Sequence, residues 1–205
     1  MTSQPASDNG SAKARVALAE KSTRASVDGG PHPGYQHVQA PLRPASLPHG
    51  SVAVFLGGST AMLASTGSWY SWRGDIAAAL DDLPVVVLDP YRADWDSTWR
   101  EAEDDDRFVD QVLWELEMQE RADLLVVVFA PGTKAPVSLL EMGMRVGQVR
   151  GDETRRGSKL VVVCSDEFWK AGNVRIVCKR FGIPCLSNVE DLEATLRTRV
   201  YELSQ

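Results

Sequence analysis

The sequence has few of the residues on which many catalytic and metal sites depend. Its three cysteines are an odd number without a CxxC spacing, which argues against a disulfide framework or a zinc knuckle and favours a reducing compartment. All three histidines lie within the first fifty residues: His32, His37 and His49. If that stretch is outside the folded core, the core has no histidine, which excludes Ser-His-Asp catalysis, Cys-His catalysis and histidine-ligated metals. The chemistry is then left to carboxylates, hydroxyls, amides and backbone groups.

Long apolar runs and an excess of positive charge are also missing. No apolar run approaches the ~20 residues that span a bilayer, and the first ten residues lack the basic and apolar regions of a secretory signal. The formal net charge of -6 and the pI of about 5.1 argue against nucleic acid or an anionic membrane as a partner. We therefore expect a cytoplasmic protein with neither kind of partner.

Composition divides the chain into an extension and a domain. Residues 1–49 are rich in Ser, Ala, Pro and Gly and have no sustained apolar period, which predicts a flexible extension that is dispensable for folding. Residues 50–205 form the predicted domain. Apolar runs predict strands at 52–56, 84–88, 124–129, 160–164 and 183–186. Helical spacing predicts helices at 72–83, 104–121, 136–149, 173–181 and 189–203. The second of these begins with an acidic run at 104–106, which the helix macrodipole favours, and its predicted apolar stripe consists of Phe108, Val112, Leu113 and Leu116.

The order of these elements indicates the fold class. Continuous β-branched strands that alternate with amphipathic helices are typical of a parallel sheet covered on both faces. We predict an α/β domain of the flavodoxin-like, doubly wound kind, with a five-stranded parallel sheet in the order 2-1-3-4-5. Ligands of such sheets bind beyond the carboxyl ends of the strands, so the loops at those ends are the candidate binding segments.

The loop after the first predicted strand begins with Gly57, Gly58 and Ser59. Paired glycines let a ligand approach the backbone closely, and the loop also offers N–H groups and a hydroxyl. It is neither a P-loop nor a GxGxxG turn. A tight turn explains the same residues, so both interpretations stand.

Two other loops carry polar and aromatic side chains. Asp89, Arg92 and Trp95 follow the second predicted strand and form either a polar surface turn or a binding loop with an aromatic platform. Asn173 follows the fourth predicted strand, where it is a helix N-cap or a binding residue.

The loop and helix after the third predicted strand give the strongest signal. Glu141 stands among apolar residues there, so we expect its carboxylate to be paired or used in chemistry. Glu115, on the preceding helix, is expected near Glu141, although most helical glutamates lie on solvated faces. Thr133 and Ser138 supply hydroxyls in the same segment.

Taken together, the motifs resemble the nucleoside 2-deoxyribosyltransferase-like family. The segments that carry the resemblance are FLGGS at 55–59, DPYRADW at 89–95, QVLWEL at 111–116, PGTKAPVSLLEMG at 131–143 and FWKAGNV at 168–174. Their order and spacing cover residues 52 to about 196 and exclude the extension.

The resemblance implies an enzyme that cleaves the N-glycosidic bond of a nucleoside or nucleotide, by hydrolysis or by sugar transfer. It implies Glu141 as the nucleophile and Glu115, where classical members have Asp, as the carboxylate that assists the leaving base. The loop at 57–59 would hold the sugar and base, and no metal or redox cofactor is required. Classical transferases have an acid, and nucleotide hydrolases a serine, where this chain has Ala135. Thr133, Ser138 or backbone N–H groups would then replace that contact, or the substrate differs.

The chemistry fits the residues without the family. One carboxylate can trap an oxocarbenium-like state covalently while another acid helps the base to leave. Walls for a base are available in the tryptophans Trp69, Trp72, Trp95 and Trp169. A nucleotide or NAD hydrolase with the same carboxylates and a non-enzymatic nucleotide sensor remain alternatives. A phospho-receiver domain does not fit, because its acceptor Asp is missing at the end of the third predicted strand.

Association is predicted from the same helices. The helices that carry Trp114, Met118, Met142 and Met144 have more apolar surface than one sheet can cover. With the resemblance, in which a neighbouring subunit commonly completes the pocket, this predicts a homodimer or larger homo-oligomer.

Overall fold

The structure is a computed structural model that describes residues 30–59, 72–95, 98–148 and 159–205. Its strands are β1 (Gln36–Gln39), β2 (Val52–Gly58), β3 (Val85–Asp89), β4 (Leu124–Phe129), β5 (Leu160–Cys164) and β6 (Cys185–Leu186). Its helices are α1 (Trp72–Ala79), α2 (Asp106–Arg121), α3 (Pro136–Gln148), α4 (Ala171–Phe181) and α5 (Leu192–Leu203). In those parts of the chain, no helix has the length and apolar content needed to cross a membrane.

The six strands form one parallel sheet in the order β1-β3-β2-β4-β5-β6. The five predicted strands correspond to β2–β6, and their order within the sheet is the predicted 2-1-3-4-5. The flavodoxin-like α/β fold is therefore confirmed, with one strand more than predicted. The carboxyl ends of β2, β3, β4 and β5 meet at one edge, because all neighbouring pairs are parallel.

The additional strand β1 comes from the stretch that the sequence analysis assigned to a flexible extension. His37 of β1 is paired in register with Val87 of β3, and Val38 is 7% exposed. The Trp114 indole N–H also donates to the Leu42 carbonyl oxygen at 2.8 Å, which ties the segment after β1 to α2. The expected boundary at residue 49 is thus wrong for β1. Three of the four β1 residues are polar, so the strand has no apolar pattern to reveal it.

Helices cover both faces of the sheet. Trp114 and Met118 of α2 and Met142 of α3 belong to the core on one face, which α4 also covers. On the other face Trp72 of α1 and Leu192 of α5 belong to a second core. Three of the four residues from which excess apolar surface was inferred are therefore covered by their own chain, and Met144, 41% exposed, is the exception.

Helix α2 buries a different face from the predicted one. Asp105 caps its N-terminus by accepting from the backbone N–H groups of Arg107 and Phe108, as expected for the acidic run there. Val112 and Leu113, which were predicted to belong to the apolar stripe, are 37% and 56% exposed. The buried side chains are Gln111, Trp114, Met118 and Gln119. The large Trp114 side chain fixes this rotation of the helix, which also carries the two glutamines inward.

Candidate active site

The loop after β2 starts where β2 and β4 approach very closely. Gly58 has a φ of 122°, and a Cβ at this position would lie 2.3 Å from the Val128 carbonyl oxygen. Only glycine fits such a conformation and such a contact. The next backbone N–H, that of Ser59, donates to the same carbonyl at 2.7 Å. The glycine thus serves the packing of the two central strands, in addition to any role toward a ligand.

The hydroxyls of Ser59 and Thr133 join the loops after β2 and β4. Their oxygens lie 2.7 Å apart, and the Thr133 hydroxyl donates to the Ala130 carbonyl oxygen at 2.8 Å. The Ser59 oxygen also accepts from the Ala130 N–H at 3.3 Å. With the Thr133 hydrogen directed to Ala130, the Ser59 hydroxyl donates to Thr133. Both hydroxyl hydrogens therefore fix the loops, and a sugar would meet these residues as acceptors.

Glu141 lies in the second turn of α3 and is 8% exposed. Its Oε1 accepts a hydrogen bond from the Gln119 side-chain amide of α2. Burial, followed by the nearby charge of Glu115, raises the pKa of Glu141 to about 7, while the Gln119 hydrogen bond and the Arg73 charge lower it. The first turn of α3 separates Glu141 from the N-terminus of that helix, which begins at Pro136.

Glu115 lies on α2, and its Oε1 accepts from the Gln111 side-chain amide at 2.7 Å. The same amide nitrogen donates to the Pro90 carbonyl oxygen at 3.0 Å, so it ties α2 to the segment after β3. Burial raises the pKa of Glu115, and the Gln111 hydrogen bond and the Arg73 charge partly offset that effect. Glu115 is half-buried and Glu141 is buried, and they lie near enough for the charge of Glu115 to raise the pKa of Glu141.

Arg73 of α1 is the cation that faces this pair. It is 8% exposed, and it donates to the carbonyl oxygens of Leu56 and Gly58 at 2.8 Å each. Its burial lowers the pKa of the guanidinium, while the charges of Asp89, Glu115 and Glu141 raise it. A buried guanidinium held by two carbonyls at the end of β2 gives the site a fixed positive charge.

Asp89, at the end of β3, is 2% exposed. Its carboxylate accepts from His37 Nε2 at 3.0 Å, from Gln39 Nε2 at 3.2 Å and from the Tyr91 N–H at 2.9 Å. Burial raises the pKa of Asp89, but these hydrogen bonds and Arg73 at 3.9 Å outweigh it, so the pKa lies below its ordinary value. His37 thus belongs to the folded domain, and the argument that its core has no histidine is wrong.

Arg92 and Trp95 form a separate group in the loop after β3. Arg92 donates to Asp94 at 2.8 Å and to Asp110 of α2 at 2.9 Å. Trp95 is 48% exposed and packs on Trp99, with ring centroids 4.7 Å apart. These contacts account for Arg92 as a surface ion-pair residue, and they leave the Trp95 ring available to a ligand.

Other predicted residues lie at different depths. Ser138 is buried on α3, one turn before Glu141. Asn173 is exposed in the first turn of α4, and Lys170, not Asn173, is the N-cap. Trp72 is 2% exposed within the core, so it is not a wall for a base, whereas Trp169 is 56% exposed. Trp69 lies outside the described residues.

Four side chains at the site were missed in the sequence: His37, Arg73, Gln111 and Gln119. Helical spacing does reveal two of them, because Gln111, Glu115 and Gln119 recur every four residues beside Trp114 and Met118. Arg73 gave a weaker signal, because α1 also contains Asp75, so a charged residue in this helix does not by itself indicate a buried one. His37 had none, because its partner Asp89 is fifty-two positions away.

Two further observations concern metal binding and the backbone conformation of the loop after β4. In the described part of the chain, no cluster of three or more His, Cys, Asp or Glu side chains can hold a metal ion. Ala135, six positions before Glu141, has a φ of 41°, a left-handed conformation that costs a non-glycine residue about 1 kcal/mol. Strain of this kind is common in loops that contact a ligand.

Comparison with known proteins agrees with the motifs. The family model described as "Nucleoside 2-deoxyribosyltransferase like" matches residues 51–168, more than half of the chain. The matched segment includes Arg73, Asp89, Glu115 and Glu141, and it begins after β1. No curated protein matches the chain.

Proposed function

The chain belongs to the nucleoside 2-deoxyribosyltransferase-like family, and on this basis we propose that it cleaves the N-glycosidic bond of a nucleoside or nucleotide. Glu141 is the proposed nucleophile and Glu115 the proposed acid. The observation that carries the proposal is the pair itself, the buried Glu141 and the half-buried Glu115, which both have raised pKa values and interact with the buried Arg73. Such pairs divide naturally into an ionised and a protonated partner near neutral pH.

The reaction needs both states at once. One Glu141 oxygen attacks the anomeric carbon C1′ as the bond from C1′ to the base nitrogen breaks, and the electron pair leaves with the base. Glu115 donates its proton to the departing base, so the base leaves neutral. A water molecule or a second base then attacks C1′, the ester bond to Glu141 breaks, and the Glu141 carboxylate is regenerated. The attacking water, or the attacking N–H nitrogen of the second base, gives up one proton in this step, and this proton returns to Glu115.

In the free site the charge of Glu115 raises the pKa of Glu141, so the proposed roles require the proton of the pair to move to Glu115 when substrate binds. The Gln119 amide donates to one Glu141 oxygen, which favours the ionised form and leaves the other oxygen for attack. The Arg73 charge favours ionisation of either glutamate, and it can also balance the charge of the nucleophile before substrate enters. Trp95 and Trp169 are exposed aromatic rings that suit stacking on a base.

The first experiment is incubation of the full chain with a panel of nucleosides and 5′-nucleotides, with and without a second free base, followed by chromatography. We expect a free base without acceptor, or a new nucleoside with acceptor. The matched control is Glu141→Gln, which keeps the shape and removes the nucleophile. Cleavage by this variant at the wild-type rate would overturn the mechanism.

A second experiment separates the two glutamates. An N7-methylated purine nucleoside has a base that leaves without protonation, so it needs no acid. Glu115→Gln should lose most activity on ordinary nucleosides and keep it on the methylated one, whereas Glu141→Gln should lose both. Equal loss on both substrates for Glu115→Gln would remove the acid role from Glu115.

The same panel with NAD added, together with a nucleotide-binding measurement, decides between this function and the alternatives. Cleavage of NAD or of nucleotides, but not of nucleosides, would indicate a hydrolase of those substrates with the same carboxylates. Binding of nucleotides without cleavage at any pH would indicate a sensor. In either case the first residues to test for substrate contacts are Ala135, with its strained backbone, and Ser59 and Thr133, whose hydroxyls are free only as acceptors.

We also propose that the chain forms a homodimer or larger homo-oligomer through α3. Helix α3 exposes Val137, Leu140 and Met144 by 60%, 64% and 41%, at helical spacing. Gly143, one turn after Leu140, has nothing within 4 Å of its Cβ position, so another helix can approach closely. Light scattering should show a particle larger than one 22.4 kDa chain, and Leu140→Glu should reduce it to a monomer.

A further inference from the structure

A cavity lies away from the glutamates, between α4 and β6. Its volume is about 500 Å³. The residues that line it are Asp166, Arg175, Cys178, Lys179, Ile183, Cys185, Leu186 and Ser187. Two of the three cysteines of the chain therefore open on one cavity, together with two cationic side chains. The proposed glycosidic chemistry uses none of these residues.

The three cysteines differ in access. Cys185 is half-buried, whereas Cys178 and Cys164 are 1% and 0% exposed. Cys185 begins the short strand β6, and Cys178 lies in the last turn of α4. The turn between them is fixed, because the N–H groups of Gly182 and Ile183 both donate to the Cys178 carbonyl oxygen. A small reagent in the cavity thus reaches Cys185 first, with Cys178 directly behind it.

The groups around Cys185 favour its thiolate. The neighbouring Cys178 thiol and the charge of Arg175 lower the pKa of Cys185 against the opposing effect of burial. The hydrogen bond to Cys185 and burial raise the pKa of Cys178, and burial raises that of Cys164 to about 11. Arg175 is held in place by the Asp166 carboxylate and by the Cys164 carbonyl oxygen at 3.0 Å. Lys179 and Asp166 are the other charged groups on the cavity wall.

We propose that Cys185 is a covalent modification site for small electrophiles and hydroperoxides that enter this cavity, and that Cys178 is its disulfide partner. The argument rests on the cavity, the differing access of the three thiols and the cations beside Cys185. The thiolate is the reactive form of cysteine, and a partly exposed thiolate near cations is typical of reactive cysteines.

The oxidation proceeds in two balanced steps. The Cys185 thiolate attacks one oxygen of the peroxide, the O–O bond breaks, and hydroxide leaves, which gives a sulfenic acid. The Cys178 thiol then attacks the Cys185 sulfur, and the S–O bond breaks. Its proton and the hydroxyl leave as water, and a Cys178–Cys185 disulfide remains. Two thiols have lost two electrons, and the peroxide has gained them.

The test uses the wild-type full chain and limiting iodoacetamide over a range of pH. Trypsin cleaves after Lys159, Lys170, Arg175, Lys179 and Arg180, so each cysteine lies on its own peptide and mass spectrometry gives three separate rates. We expect Cys185 to react at least about tenfold faster than Cys164 at pH 7, and its rate to reach half of its maximum clearly below the value of about 8.5 for a free thiol. Equal rates, or a Cys185 rate that rises only above pH 8.5, would overturn the reactive thiolate.

Hydrogen peroxide tests the second thiol. We expect the intact protein to lose two hydrogen atoms, and the peptides of Cys178 and Cys185 to be joined until a reductant is added. A stable sulfenic or sulfinic acid on Cys185 without that link would overturn the role of Cys178. Cys164→Ser should leave both results unchanged, because Cys164 is fully buried.

Arg175 and Arg180 provide a matched pair of variants on one helix. Arg175→Gln removes the guanidinium that lowers the pKa of Cys185, so the alkylation rate at pH 7 should fall about threefold or more. Arg180→Gln, at an exposed position outside the cavity lining, should leave the rate unchanged. Equal effects of both variants would contradict the role of Arg175.

Discussion

Asp89 and Glu141 are two buried carboxylates on either side of Arg73, and their pKa values move in opposite directions. Asp89 is 2% exposed and has a pKa below its ordinary value. Glu141 is 8% exposed and has a pKa of about 7. Burial acts on both in the same sense, and Arg73 favours ionisation of both. Burial alone therefore does not decide the charge of a carboxylate in this protein.

The difference lies in the other neighbours. Asp89 accepts three hydrogen bonds, from His37, Gln39 and the Tyr91 N–H. These protein donors replace the water molecules that would otherwise solvate its negative charge. Glu141 accepts from Gln119 and has Glu115 as a like-charged neighbour. The region at β1 and β3 thus holds a structural anion, whereas the region between α2 and α3 holds a carboxylate that can gain and lose a proton.

The largest expected effect concerns turnover. Glu141→Gln should reduce the rate of glycosidic cleavage by at least about a thousandfold, because an amide cannot act as the nucleophile. Asp89→Asn should reduce it far less at a temperature at which the variant is folded, because Asp89 acts on the site only through its surroundings. Steady-state kinetics on the best substrate of the panel give both numbers. A larger loss for Asp89→Asn would reverse the comparison.

The second effect concerns stability at neutral pH. Asp89→Asn directs an amide N–H toward groups that are themselves donors, so it should lower the free energy of unfolding by about 2–4 kcal/mol. Glu141→Gln removes a charge that burial disfavours, and its free energy of unfolding should stay within about 1 kcal/mol of the wild type or exceed it. Urea denaturation at pH 7 measures both changes.

The pH dependence of stability should separate the two groups further. Because the pKa of Glu141 rises from 4.5 to about 7 on folding, its contribution is complete below pH 4.5 and lost as the pH rises through 7, about 3 kcal/mol at most. Glu141→Gln should therefore gain stability relative to the wild type between pH 5 and pH 8.

Asp89 should behave in the opposite way. Its contribution is present above its ordinary pKa of 3.8 and is lost as the pH falls through its lower folded value. The destabilisation by Asp89→Asn should therefore be constant from pH 5 upward and shrink below pH 3.8. Thermal melts across this range, with both variants in the same buffers, give the two difference curves. Parallel curves would show that neither pKa shift exists.

The smallest effect tests one donor to Asp89. His37→Ala removes the 3.0 Å hydrogen bond to the carboxylate and leaves Gln39 and the Tyr91 N–H in place. We expect a loss of about 1 kcal/mol in the free energy of unfolding. His49→Ala is the matched control, because His49 is exposed. Equal melting temperatures for both variants would mean that His37 contributes nothing to Asp89.

The sheet could be predicted because its signals are local. The apolar strands β2, β3, β4 and β5 read as continuous runs, and their order follows from general rules for parallel sheets. Strand β1 could not be predicted, because its polar residues are stabilised by β3 and Asp89, which are distant in the sequence. The predicted buried face of α2 was wrong for a related reason. Burial of Trp114 outweighs burial of Val112 and Leu113 only once the sheet is present.

The candidate site was predicted in part for the same reason. Glu141 and Glu115 were found from an acid in an apolar segment and from helix geometry. Arg73 was missed, because the carbonyls of Leu56 and Gly58 that hold it carry no mark in the sequence. Every residue carries a backbone carbonyl oxygen, so the fold, and not the type of the accepting residue, decides which of these oxygens a side chain contacts.

Strand β1 also determines which edge of the sheet faces solvent. All five residues of β3 are buried, and β1 occupies the hydrogen-bonding groups on its outer side. A chain that begins at residue 50, close to where the family match begins, would leave β3 as an open apolar edge that can pair with another copy. Strand β1 is short, and its polar residues Gln36, His37 and Gln39 make it a poor template for pairing with another copy. This strand therefore protects the protein against edge-to-edge aggregation, and it sets the shortest fragment that should remain in solution.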